Sequence, residues 1–110
     1  MVIKILDHVK SVSTYEDGNI IFELISTQLK NNNHVIISFS GIQSVPSAFI
    51  NSAFIRLLDI FSFDKIKEYV KFSETTKHIN DLIKSRFEFV TKLENTWKDG
   101  LFKINQTNLR

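Results

Sequence analysis

Residues 35–58 read VIISFSGIQSVPSAFINSAFIRLL. An apolar run halts at SFSGIQS and resumes past Pro46, the only proline of the chain, with a different rhythm. Before the break, Val35, Ile36, Ile37 and Phe39 form a nearly continuous apolar stretch, which suits a strand covered on both faces rather than one with a wet side. After it, Phe49, Ile50, Ala53, Phe54, Leu57, Leu58 and Phe61 recur at helical spacing and describe one broad stripe. A buried strand thus hands over to a buried helix through a loop that carries Ser40, Gly41, Ser44 and Ser47. Gly41 permits a tight turn or a positive φ, and Ser40 and Ser44 can satisfy loop backbone groups. Ser47, entered through a proline that favours extended backbone, reads as the N-cap of the helix.

Working outward, VIKIL at the start is short and rich in β-branched residues, a first strand ending by Asp7. Ile21, Phe22, Ile25 and Leu29 then place a first helix from about residue 16 or 17 to about residue 30, ending at NNN. Thr14 or Ser13 can cap it, and Glu16 and Asp17 favour its positive end. Gly18 in its first turn costs helix stability and wants a reason. Beyond residue 58, FSFDKIKEYVKFS gives a turn and a third strand near Tyr69 to Phe72. Ile79, Leu82, Ile83, Phe87, Val90 and Leu93 share one face of a last helix, with Ser73 or Thr75 as cap. The order β-α-β-α-β-α predicts a small α/β layer with a mostly parallel or mixed sheet and helices packed on it. Residues 1–94 form the expected domain; residues 95–110 are a tail in which LFKI is either a late edge strand or a segment lying on the body.

Composition narrows the function classes. A chain of 110 residues, 43% apolar and 24% charged, can bury one core without staples, and its mean hydropathy of -0.05 is that of an ordinary folded domain. It has no cysteine, hence no disulfide, thiolate nucleophile or sulfur-ligated metal. His8, His34 and His78 are far apart, and no spacing selects a metal site or a catalytic triad, so neither catalytic residue, metal nor cofactor is expected. Residues 1–63 carry 4 Lys/Arg against 5 Asp/Glu and residues 64–110 carry 10 against 7, but the second half alternates in sign like a solvated helix face, which argues against nucleic acid as partner. The opening MVIKILDHVKSVS is too soon charged for a secretory core, and no window reaches the roughly 20 apolar residues of a membrane span; a cytoplasmic place is expected. The phenylalanines other than Phe102 fit core positions, whereas Trp97 and Phe102 could present an apolar spot to a partner helix or a second copy, a homodimer among the possibilities.

A loop at the carboxyl end of a parallel strand, leading into a helix, is where α/β layers place their sites. Ser40, Gly41, Ser44, Ser47 and Ala48 are therefore the candidate partner- or anion-binding residues. No Gly-rich phosphate cradle or Walker-type lysine accompanies them. If the N-terminus of the second helix faces outward, a phosphoryl group on Ser47 would be stabilised there.

TYEDG before the first helix, HVIISFSGI as the central strand and PSAFINSAFIRLL opening the second helix together resemble the STAS-like domains, small bacterial relatives of the anti-sigma-factor antagonists. The likeness spans roughly residues 14–87. In the antagonists an acidic turn closes the equivalent strand, and a box opening the next helix carries a serine phosphorylated by a partner kinase. Ser38, Phe39, Ser40 and Gly41 fall on that turn; Pro46, Ser47, Ala48 and Phe49 fall on the box. Ser38 and Pro46 replace acidic residues, Phe49 replaces glycine, and only Ser47 keeps its identity within the box. The STAS-like branch tends to carry an arginine where this chain has Tyr15. The resemblance implies a non-enzymatic regulatory domain that docks another protein, a histidine-kinase-like ATPase or a serine kinase. A sensor of a nucleotide or other anion at the same helix tip is the alternative.

Overall fold

Three short strands, β1 (Val2–Lys4), β2 (Val35–Ser38) and β3 (Val70–Ser73), form a sheet of order β1-β2-β3 in which both pairings are parallel. The structure is a computed structural model, and it describes residues 1–91. Four α-helices complete the order: α1 (Tyr15–Lys30), α2 (Ser47–Ala53), α3 (Phe63–Tyr69) and α4 (Lys77–Thr91). Short 3-10 segments follow β1 at Ile5–Asp7 and α2 at Ile55–Asp59. The alternation read from the sequence is the one observed, with α3 inserted before β3. The expected tail from residue 95, its LFKI segment, Trp97 and Phe102 lie outside the described residues.

Register lines up Ile3, Ile37 and Phe72 across the sheet, and all three are buried beneath the helices together with Val35 and Val70. The intervening row, Val2, Ile36 and Lys71, points the other way. Val2 is 60% exposed and Ile36 38% exposed, which corrects the expectation that β2 is covered on both faces. An unbroken apolar run reported strand propensity here rather than double coverage, because β-branched residues fit a pleated surface whether or not it is roofed.

The stripe after Pro46 is buried as predicted, but it is not one helix. α2 stops at Ala53, Phe54 takes φ -120 and ψ -44, and the chain tightens into the 3-10 segment. Phe54 is the hub of an aromatic cluster, with ring centroids 6.0 Å from Phe39, 5.2 Å from Phe72 and 6.2 Å from Phe49. Seating that ring between strand ends and helix outweighs the one or two α-helical hydrogen bonds lost at the break. Where FSFDKIKEYVKFS suggests only a turn before the third strand, α3 forms, and its signals are local: Ser62 accepts from the Lys65 amide at 3.1 Å, and Phe63 and Ile66 sit three apart on the buried side.

Gly18 has its reason. A Cβ there would lie 1.8 Å from Ser52 Oγ and 2.8 Å from the Phe49 carbonyl oxygen, so the glycine is what lets α1 and α2 touch backbone to side chain. α4 is capped by Thr76, whose Oγ1 accepts from the Ile79 amide at 3.1 Å, not by Ser73 or Thr75. Glu74 adopts φ 57, and this left-handed residue turns the chain so that the helix starts past the expected caps. Among the described residues no helix is long and apolar enough to cross a membrane.

Candidate functional site

The loop between β2 and α2 is pinned by its apolar residues and presents its small polar ones. Phe39, Ile42 and Val45 are buried; Gly41, Gln43, Ser44, Pro46, Ser47 and Ala48 are exposed, and Ser40 is half-buried. The Phe39 amide donates to the Ser73 carbonyl at 3.0 Å, which fixes the exit of β2 against β3. The Ile42 amide then donates back to the Phe39 carbonyl at 2.9 Å, closing a turn with Gly41 in its third place at φ 84. That positive φ is the conformation for which glycine has no steric cost. Ser38 Oγ, not Ser40 or Ser44, satisfies the turn by accepting from the Ser40 amide at 3.2 Å. Further on, Thr76 Oγ1 donates to the Gln43 carbonyl at 3.3 Å and ties the loop to the start of α4.

The role of Ser47 differs from the one its sequence suggests. The N-cap position of α2 is Pro46, at φ -78 and ψ 160, and no side chain caps the helix. Ser47 is the first helical residue, and among the described residues its hydroxyl has no hydrogen-bond partner. Proline supplies the carbonyl that the Phe49 amide reaches at 3.1 Å and the Ile50 amide at 3.4 Å, so the turn closes without any help from a serine side chain. Ser44 is likewise exposed and unbonded among the described residues. The five candidate residues therefore lie on one contiguous segment at the carboxyl rim of the sheet, with two hydroxyls turned to solvent.

Two neighbours share this rim. The 3-10 turn after β1 packs Leu6 so close to Gly41 that a Cβ on the glycine would be 3.1 Å from Leu6 Cδ1. An open hollow of about 520 Å³ is lined there by Leu6, Asp7, His8, Val9 and Lys10. The entry to α1 is a capping box: Thr14 Oγ1 accepts from the Asp17 amide, and Asp17 Oδ2 accepts from the amides of Thr14 and Ser13 and the hydroxyl of Ser11, each within 3.1 Å. Desolvation pushes the Asp17 carboxyl upward, but the hydrogen bonds from Thr14, Ser11 and Ser13 outweigh it and hold the group below its ordinary range. Tyr15, beside this cap, is exposed, and the guanidinium of Arg56 stands 5.8 Å from its ring centroid and 4.1 Å from that of Phe22. Arg56 also donates to Asn19 Oδ1. Sequence spacing could not have shown that the turn after α2 delivers an arginine to the start of α1.

The histidines occupy three places. His8 belongs to the rim hollow, His34 stacks on Tyr69 with centroids 4.3 Å apart ahead of β2, and His78 is exposed on the first turn of α4. Among the described residues no three His, Cys, Asp or Glu gather as metal ligands.

Residues 17–80 match a family model described as "STAS-like domain of unknown function (DUF4325)". The match runs from the first turn of α1 to that of α4 and contains β2, the rim loop and all of α2. No curated protein and no solved structure gave a match.

Proposed function

The chain belongs to the STAS-like family DUF4325, and from that membership we propose that it is a non-enzymatic regulatory domain whose rim loop and first turn of α2 dock another protein. The contact residues are Ser40, Gly41, Ser44, Ser47 and Ala48. One observation carries the assignment: the loop is held by buried Phe39, Ile42 and Val45, yet its polar residues have been left facing water. A rigid segment with unspent hydroxyls loses little entropy when a partner binds it, which is the condition for a specific contact. The partner that family resemblance points to is a histidine-kinase-like ATPase or a serine kinase.

Ser47 is the residue for a switch. Its hydroxyl takes no part in holding the helix, so a phosphoryl group could be added without unmaking α2, and the new charge of roughly -1.5 to -2 would fall beside unpaired first-turn amides while repelling an acidic partner surface. The test is affinity capture from the producing cells with the chain and with Ser44→Glu and Ser47→Glu variants. Loss of a partner seen with the parent chain is the expected result; retention of every partner by both variants would refute the site. Intact mass of the native protein reads the phosphate directly. A thermal-shift series over nucleotides and inorganic anions separates docking from small-ligand sensing, since a ligand at 100 times its Kd adds about 2.7 kcal/mol of stability.

A further inference from the structure

The loop between β2 and α2 is braced from the connection between β3 and α4 at two points. At its start the Phe39 amide donates to the Ser73 carbonyl at 3.0 Å, and at its crest the Thr76 hydroxyl donates to the Gln43 carbonyl at 3.3 Å. Between the two braces Glu74 holds φ 57, a left-handed conformation that a non-glycine residue takes at an energetic cost and that recurs in functional segments. The crest is Gln43 and Ser44, both exposed, between buried Ile42 and Val45. Among the described residues the Thr76 hydroxyl makes the one hydrogen bond that reaches residues 43–45. The same oxygen accepts from the Ile79 amide at 3.1 Å and so caps α4. One hydroxyl thus gives a lone pair to the helix and its proton to the loop.

We propose that Thr76 is the positioning residue of the rim loop: its proton holds the crest in the docking conformation, which places that surface under the control of the first turn of α4. Helix ends open at little cost in free energy. When this turn opens the hydroxyl leaves with it, and Gln43 and Ser44 keep only their flanking apolar anchors. A partner that acts on the start of α4 is then felt at the loop without touching it. Serine would fill both roles of Thr76, and aspartate only one, because a carboxylate caps a helix at least as well as threonine but has no proton to donate. The consequence for docking rests on the function proposed above, whereas the tie is a property of the free chain.

Thr76→Asp therefore separates the two roles, and Thr76→Ser is its control. Both are compared with the full parent chain by urea unfolding and by nitrogen relaxation of the backbone amides. Thr76→Asp should unfold at no lower urea concentration than the parent, while the order parameters of Gln43 and Ser44 fall from about 0.85 toward about 0.6, the rigid and flexible values of a backbone. Thr76→Ser should change neither. Any of three results overturns the proposal: a crest as ordered in Thr76→Asp as in the parent; a crest already near about 0.6 in the parent; or a crest loosened as far by serine as by aspartate. Should aspartate unfold the chain, Thr76→Val takes its place, and unchanged order at residues 43 and 44 refutes the tie in the same way. Affinity capture reads the consequence, since Thr76→Asp should lose a partner that the parent and Thr76→Ser retain. Undiminished capture by a loosened crest removes Thr76 from docking and leaves the loop to its own Ser44→Glu and Ser47→Glu test. A parent chain that captures nothing counts against the docking reading, and relaxation still decides the tie.

Discussion

Gly18 and Asp17 are adjacent in sequence and make opposite demands on the first turn of α1. At an ordinary helix position Gly→Ala gains about 1 kcal/mol. Here the added methyl meets Ser52 Oγ and the Phe49 carbonyl, so Gly18→Ala should instead destabilise by about 1–3 kcal/mol in urea unfolding. Adding Ser52→Ala should recover part of the loss, because the shorter contact is to a hydroxyl and the longer to backbone. A stabilised single variant would mean that the helices do not approach this closely. Asp17 has a folded-state pKa held below 3.8, so its contribution is present above the ordinary carboxylate range and disappears as pH falls through the lower folded value. The stability gap between the chain and Asp17→Asn should therefore be full near pH 6 and close below pH 4. A gap independent of pH would show that the cap works through geometry alone.

Elements were legible where a side-chain pattern makes them and illegible where a neighbour does. The first helix and the second and third strands follow from spacing and β-branching to within a residue or two; β1 stops at Lys4, ahead of the expected end by Asp7, and of the two caps the sequence offers α1 uses Thr14. The break of α2 at Phe54 could not be read, since the apolar stripe continues through it and only the ring cluster with Phe39 and Phe72 decides the pitch. α3 has its cap and its apolar spacing in plain view, yet seven residues between a 3-10 turn and a strand are shorter than a periodicity argument resolves. Caps show the same division. Ser47 has the sequence of an N-cap and does not act as one, while Thr76 caps α4 and also holds Gln43. Thr76→Ala should accordingly cost about 1 kcal/mol and Ser47→Ala less than about 0.5 kcal/mol in the same denaturant assay. If the order were reversed, the reading of Ser47 as a free hydroxyl would fail.

At the scale of the molecule, the consequential property is that among the described residues helices cover one side of the sheet and not the other, and a single strand carries the contrast. Ile36 and Ile37 are neighbours of identical chemistry on β2, so nothing in composition or propensity separates them. Register does: Ile37 lies between Ile3 and Phe72 at 0% exposure, and Ile36 between Val2 and Lys71. Truncating Ile37 to Ala opens a cavity under the helices and should cost about 2–5 kcal/mol, a large share of the 5–15 kcal/mol that holds a small domain folded. Truncating Ile36 removes methyls already partly in water and leaves no cavity, so its cost should stay within about 1 kcal/mol and reflect mostly strand propensity. Both variants are measured on the full chain by equilibrium unfolding, where unchanged m-values would confirm that the same surface is exposed. Equal and large losses would mean that Ile36 is packed after all, by the remaining 19 residues or by a second copy. A small loss at Ile36 beside a large one at Ile37 would show that register, which alternates the two isoleucines between the faces of one strand, decides what each contributes.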